Sequence, residues 1–446
     1  MKKRIVLFTN HLTNSSNLRT VISWSKALTN ANYAVTILTY YPDSNEPPFD
    51  TCITRANLVS SYQAYTELSY KRVACKKLLE QYLNEHPQDI LIPLTVNCNL
   101  LAAIASCSVQ ILTQTQLNRT DDPKQKFEFA LNDWAIQKQG SVIVQTEEQL
   151  EHFNTPLFKH VKKYIAHSPL LNPEIKNIQK DDYNSIKKII TIGRLAREKN
   201  HQLMIEALRI LRDEYHENYN LDIYGEGELF NELQTQIKKY HLEQQIKIYP
   251  NMKTIQSIVS YDLFLSASAF NGIHKTLLEA MSFGLPSLAI RTSVIKNGHN
   301  GYTTNCYDAH TLAKKIHKIN HPETLAIIGK QARQNILAHY TIDKLQSELT
   351  YIIEDLLRHK PKRYKASIPS NELTTTEEYQ NYFEASLNFI RIADKKLSKQ
   401  IFEHTRHILK RASLTAKPIT IQKAYKTCLR FNQFEIFYHF LHESRN

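Results

Sequence analysis

The chain runs to 446 residues, 42% of them hydrophobic and 22% charged. That balance excludes a disordered polymer, and the length exceeds a single ordinary core, so two or three domains are expected. Lys and Arg number 56 against 43 Asp and Glu, but residues 360–446 alone hold 16 against 8, so most of the net +13 sits in the last fifth of the chain.

The opening MKKRIVLFTNHL has four consecutive apolar residues, Ile5 to Phe8, behind a basic start. Such a run is too short for a signal-peptide core and reads as a buried strand, with cytoplasmic location as the default. A second strand is expected at AVTILTY, 34–40, and Leu18, Val21, Ile22, Ser25 and Leu28 recur between the two at helical spacing. That is a β-α-β unit, hence a parallel sheet. The helix expected next is AYTELSYKRVACKKLLEQYLNEH, ended by Pro87, and further strands are expected at 89–94, 109–114 and 141–146. After a polar stretch, NIQKDDYNSIKK, a second α/β series begins, with strands expected at 189–194, 221–227, 246–250, 262–268 and 285–290 and a closing helix at 343–359.

The expected division is a first α/β domain at 1–165, a linker at 166–188, a second α/β domain at 189–342, a closing helix and linker at 343–376, and a basic helical extension at 377–446. Two doubly wound α/β domains imply a cleft, and ligands meet such sheets at the carboxyl ends of the strands. The six cysteines form no CxxC pair, so buried or reduced thiols are expected, with no metal site. No nucleic-acid motif accompanies the basic segment.

Glycine is scarce and unevenly placed. Of nine, none precedes Gly140 and eight lie between Gly193 and Gly329. Glycine serves where backbone turns with positive φ or approaches something closely, so the second half is built for a ligand. Gly193, Arg194 and Lys199 follow one strand, with Asn200 set to cap the next helix, and two cations on such a loop suit a diphosphate. Gly225 and Gly227 end the following strand. In SASAFNGIHKTLLEAMSFGLPS, a loop of Asn271, Gly272, Ile273, His274 and Lys275 leads into a helix. Amides at that helix start favour an anion, and Glu279, about one turn on, suits the hydroxyls of a ribose.

In this order the pieces resemble the nucleotide-sugar half of GT-B glycosyltransferases of family GT4. They match the family's GRL…K motif (Gly193-Arg194-Leu195…Lys199), its GxG strand end (Gly225, Gly227), its E-x7-E motif (Asn271…Glu279) and its dGxNG turn (Asn297-Gly298-His299-Asn300-Gly301). The resemblance is specific over about 189–320, loose over 1–165 and absent from the tail. It implies transfer of a sugar from a nucleotide diphosphate donor, a UDP-sugar above all, with retention at the anomeric carbon and without metal or other cofactor. The acceptor would be a glycan, a lipid-linked sugar or a protein, as in the assembly of cell-surface glycans. Arg194 and Lys199 would neutralise the leaving diphosphate, with Asn271 beside the sugar. Glu279 would hold the ribose, and Gly272, Ile273 and His274 would lie against phosphates and sugar.

Four departures bear on this. Asn271 stands where the family has its first glutamate, and His274 where it usually has a small residue. The first-domain loop TNHLTNSSNLRT lacks glycine, so Asn14, Ser15, Ser16 or Asn17 reads first as a cap of the next helix, with His11 a candidate for sugar contact and Asn14 and Ser15 further acceptor-side candidates. No histidine occurs between His86 and His152, which leaves Thr115 and Gln116 for an acceptor hydroxyl. The losses cluster on the sugar side, so a non-catalytic GT-B subunit that binds an acceptor or supports a partner glycosyltransferase stands beside the active enzyme. The extension at 377–446 is expected to pack on the core with a basic outer face. Its other reading is contact with an anionic polymer or the inner membrane surface.

Overall fold

The computed structural model describes residues 2–12, 16–43, 45–68, 71–105, 110–111, 113–114, 123–171, 178–250, 255–268, 275–290 and 292–361. They form two units. Of the described residues, the first takes those within Met1–Val144, Leu150–Ala166 and 346–361; the second takes those within Gln145–Gln149 and His167–Leu345. The expected extension at 377–446 lies outside the described residues.

The first unit starts with β1 (Arg4–Phe8), α1 (Ser16–Asn30), β2 (Ala34–Thr39) and β3 (Thr54–Asn57). There follow α2 (Tyr62–Glu67), α3 (Lys71–Glu85), β4 (Ile90–Pro93), α4 (Val96–Ile104), β5 (Gln110–Ile111), β6 (Thr113–Gln114), α5 (Pro123–Gln139), β7 (Ser141–Val144), α6 (Glu147–His152) and β8 (Lys162–Ile165). Its main sheet is parallel in the order β3-β2-β1-β4-β5, and a smaller parallel sheet runs β6-β7-β8. Ile5 to Phe8, Ile90 to Pro93 and Ser141 to Val144 are buried throughout, as strands covered on both faces require. Both tryptophans, Trp24 and Trp134, are buried in this unit.

The second unit holds β9 (Lys188–Ile192), α7 (His201–Tyr215), β10 (Asn220–Tyr224), α8 (Phe230–Lys239), β11 (Ile246–Tyr249), β12 (Leu263–Ser266), α9 (Lys275–Ser282), β13 (Ser287–Ile290), β14 (Tyr302–Thr304), α10 (Ala309–Ile319) and α11 (Pro322–His339). The last helix, α12 (Ile342–Arg358), begins here and passes into the first unit at Gln346. The sheet is parallel throughout, ordered β11-β10-β9-β12-β13-β14. In α7, Met204, Ile205, Leu208 and Leu211 turn one face into the core, each worth about 1.5–3 kcal/mol of transfer energy.

Two expectations are corrected. The strand expected at 109–114 is two short strands, β5 in the main sheet and β6 in the small one. The long helix expected before Pro87 is two, because Leu68 ends α2 with ψ 120 and α3 starts afresh at Lys71. Among the described residues no helix is long and apolar enough to cross a membrane. The described cysteines are free thiols, Cys75 and Cys98 buried, Cys52 and Cys306 exposed.

Candidate functional site

In the second unit the chain starts at the middle of its sheet. It winds outward from β9 through β10 to β11, then returns to β12 on the other side of β9. The carboxyl ends of β9 and β12 thus flank the point where strand order reverses, and loops leaving that point in opposite directions open a crevice. Of the sequence-predicted residues, Gly193, Arg194 and Lys199 fall on the loop after β9.

The β9 loop is held by its neighbour. Gly193 N–H donates to the Tyr224 carbonyl at 2.9 Å, Leu195 N–H to the Glu226 carbonyl at 2.8 Å, and Leu229 N–H to the Leu195 carbonyl at 3.1 Å. Here the glycines of the second strand end are sterically required. A Cβ on Gly225 would lie 2.0 Å from the Gly193 carbonyl oxygen, and one on Gly227 would lie 2.4 Å from that of Leu195. Gly225 and Gly227 therefore let two backbones close on each other, and that contact shapes the loop.

Lys199 lies across Gly193, its side-chain carbons 3.6–3.8 Å from where a Cβ would be. Its Nζ donates to Ser268 Oγ at 3.5 Å, linking the loops after β9 and β12, and Ser268 Oγ donates to the Glu198 carbonyl at 3.3 Å. Burial pushes the Lys199 amine below its usual range; Glu198 opposes this and Arg194 adds to it. Arg194 remains 71% exposed and pairs with Glu198. The site thus presents two cations of different kind, one exposed and paired with Glu198 and one half-buried and short of solvent. Both gain from an arriving dianion.

Asn200 occupies the position before α7 in the left-handed conformation, φ 51. Its side chain makes no capping bond, contrary to the sequence expectation; Nδ2 donates instead to the Ala267 carbonyl at 3.1 Å, a second tie between the loops. His201 beside it is 1% exposed, its Nδ1 has no hydrogen-bond partner among the described residues, and burial with help from Lys199 pulls it down to about 4.

The helix α9 is anchored at its start, where Thr276 Oγ1 donates to the carbonyl of Ile192, the last residue of β9. Lys275 and Glu279 lie half-buried on this helix. Asn271, Gly272, Ile273 and His274 lie outside the described residues, as do Asn14, Ser15, Thr115 and Gln116 of the first unit. The Asn297–Gly301 turn is closed on itself. Asn300, 1% exposed, accepts from Lys296 N–H at 2.7 Å and donates to the Val294 carbonyl, while Asn297 accepts from Thr303 N–H. Sequence reasoning missed Ser268, Tyr307, whose hydroxyl donates to the Ser268 carbonyl at 3.2 Å, and the stacked pair Tyr224 and Tyr249, 5.0 Å between centroids. A serine or tyrosine at a strand end carries no signal until the topology sets it beside a cation.

Among the described residues no three His, Cys, Asp or Glu side chains come together as a metal site would need.

Residues 174–335 match the model of the family described as Glycosyl transferases group 1. The chain is 25% identical over 307 residues to the amylovoran biosynthesis glycosyltransferase AmsD of Erwinia amylovora, covering 65% of this chain and 81% of that one. It is 26% identical over 233 residues to the GtfA subunit of the UDP-N-acetylglucosamine–peptide N-acetylglucosaminyltransferase of Streptococcus pneumoniae, covering 48% of this chain and about half, 45%, of that one. A mutant of S. aureus TarM, crystallised with fondaparinux, alpha-GlcNAc-glycerol and UDP, superposes with a TM-score of 0.61 at 14% identity, over 79% of this chain and all of the other. Residues 174–335 are thus similar to the glycosyl transferases group 1 family, and the fold is of the GT-B class.

Proposed function

We propose that this protein transfers a sugar, with retention, from a nucleotide diphosphate sugar to a glycan, lipid-linked or protein acceptor. The observation that carries the proposal is the pair Arg194 and Lys199 at the reversal point of the second sheet, locked in place by Gly225 and Gly227. The diphosphate lies against these loops. Lys199, already stripped of part of its water, meets the phosphate oxygens without further desolvation, and Arg194 exchanges Glu198 for the ligand. Glu279 on α9 accepts from the ribose hydroxyls.

In the reaction the bond from the anomeric carbon to the phosphate oxygen breaks, and its electron pair leaves with the diphosphate. The acceptor oxygen bonds to that carbon from the same face and passes its proton to the departing phosphate oxygen. Fixed cations stabilise the charge developing on the leaving group, taking the part a bound metal ion plays elsewhere. UDP is the nucleotide we propose, in line with the UDP-dependent GtfA and the UDP complex of TarM. Assembly of cell-surface glycans, as with AmsD, is the proposed setting, with the protein acting on the cytoplasmic side.

A second reading is favoured by one observation, Asn271 in place of the motif's first glutamate. In that reading the protein keeps the GT-B shape without catalysis and supports a partner glycosyltransferase. Calorimetric titration with UDP, GDP and ADP separates the two. Micromolar UDP binding, weakened at least tenfold in Arg194→Ala, supports the transferase. No binding of any of the three by folded protein sinks it.

A further inference from the structure

The carboxyl end of the first unit's main sheet carries a cluster of aromatic side chains that the donor chemistry does not use. Past β1, β2 and β3 the ladder continues for a residue or two: Tyr40 N–H donates to the Asn10 carbonyl at 3.0 Å and Val59 N–H to the Tyr40 carbonyl at 2.9 Å. This sets His11, Tyr41 and the start of α2 side by side. The His11 and Tyr41 rings lie nearly parallel, 11° apart with centroids at 6.3 Å. Tyr41 meets Tyr62 edge-on at 5.1 Å and Tyr65 at 5.1 Å, and Tyr65 in turn stacks on the buried Tyr40 at 5.7 Å.

The helix α2 is anchored on the core through Tyr65 alone of its two tyrosines that meet Tyr41; it has six residues, a Ser61 cap bonded to Ala64 N–H, and no fully buried residue. A helix this short gains its stability from packing, not from its own hydrogen bonds. Here it holds Tyr62 60% exposed above Tyr41, at the end of a parallel sheet where ligands bind. Exposing a ring there forfeits transfer energy unless something else covers it.

Among the described residues Arg55, the cation on β3, is already held by Glu46 at 2.6 Å and by the Ile37 carbonyl, and the Asp43 carboxylate acts on Tyr41, so the surface suits a neutral hydroxylated ring over a phosphate or carboxylate. A pyranose ring matches such a surface, since one face presents C–H bonds to an aromatic ring while the rim hydroxyls keep their hydrogen bonds. We propose that Tyr41 and Tyr62, flanked by His11, form a platform that seats a sugar ring of a saccharide acceptor. This deepens the transferase reading and rests on it for the word acceptor.

The test uses the full chain on an array of mono- and oligosaccharides of glucose, galactose, N-acetylglucosamine and rhamnose, with unglycosylated peptides and anionic vesicles as alternatives. UDP titration runs on the same samples. The expected result is retention by saccharides, at least tenfold weaker in Tyr62→Ala and in Tyr41→Ala, kept in Tyr62→Trp, with UDP affinity unchanged in all three variants. UDP binding without saccharide retention overturns the platform alone, as does retention that neither alanine variant weakens or a preference for peptides or vesicles. Saccharide retention through Tyr62 without UDP binding leaves the platform standing and overturns the transferase.

Discussion

Gly225 and His201 show how differently a single residue can constrain the second unit. At Gly225 any side chain collides with the Gly193 carbonyl, a contact neither backbone can relieve without parting the loops. Gly225→Ala is expected to lower stability by about 2–3 kcal/mol and to weaken UDP binding with it, read from the thermal midpoint and a titration. His201 is a polar group at a place that asks for an apolar one. Its folded value of about 4 lies below the ordinary 6.5, so the folded state resists a proton that the unfolded chain accepts. The stability this group contributes is complete above pH 6.5 and is lost as pH falls toward 4, by up to about 3 kcal/mol. His201→Leu should flatten the dependence of the melting temperature on pH across that window; an unchanged slope would assign it to other groups. At this scale the sequence announces Gly193, Arg194 and Lys199 through their place after an apolar strand. It is silent on His201, because burial of a lone histidine depends on helix packing that no local pattern encodes, and silent on Asn200's bond to Ala267, which joins positions 67 residues apart.

Elements were readable in proportion to how fully they are covered. Strands in the middle of the sheets, such as Ile5 to Phe8 and Ile90 to Pro93, are continuous apolar runs and stand out in the sequence. The three strands it does not reveal, β3 (TRAN), β8 (KKYI) and β14 (YTT), each lie at the edge of a sheet. With a neighbour on one side only, an edge strand tolerates charge and polarity. The junction of β8 with α12 is made by side chains, which again no periodicity shows: Asp355 Oδ2 accepts from the Tyr164 hydroxyl at 2.6 Å and from Lys162 Nζ at 3.0 Å. These bonds, the Tyr164 one first, hold the Asp355 carboxyl below the usual carboxylate range, so their contribution is present above about pH 4 and fades as pH falls below it. Asp355→Asn is expected to cost about 1–2 kcal/mol and to speed amide exchange in the last two turns of α12. Exchange rates equal to wild type would show the clip to be idle.

Over the whole molecule, the two-series α/β alternation was visible from the sequence, and with it the fold class, because alternating strands and helices leave few ways to build a parallel sheet. The units keep separate cores, and both tryptophans belong to the first while the candidate donor site belongs to the second. A nucleotide at about 100 times its dissociation constant stabilises what it binds by about 2.7 kcal/mol. UDP is thus expected to raise the melting transition followed by circular dichroism more than the one followed by tryptophan emission. Equal shifts by both probes would mean the units unfold as one. The path of the chain through the units also has a bearing on its birth. The first unit is interrupted after Ala166 and resumes at Gln346, about 180 residues later. At roughly 5–20 residues per second on the ribosome, that gap lasts on the order of 10–40 seconds. The half that is begun first is finished last, and until α12 emerges Lys162 and Tyr164 of β8 lack the Asp355 that binds them, a window in which a chaperone has reason to bind.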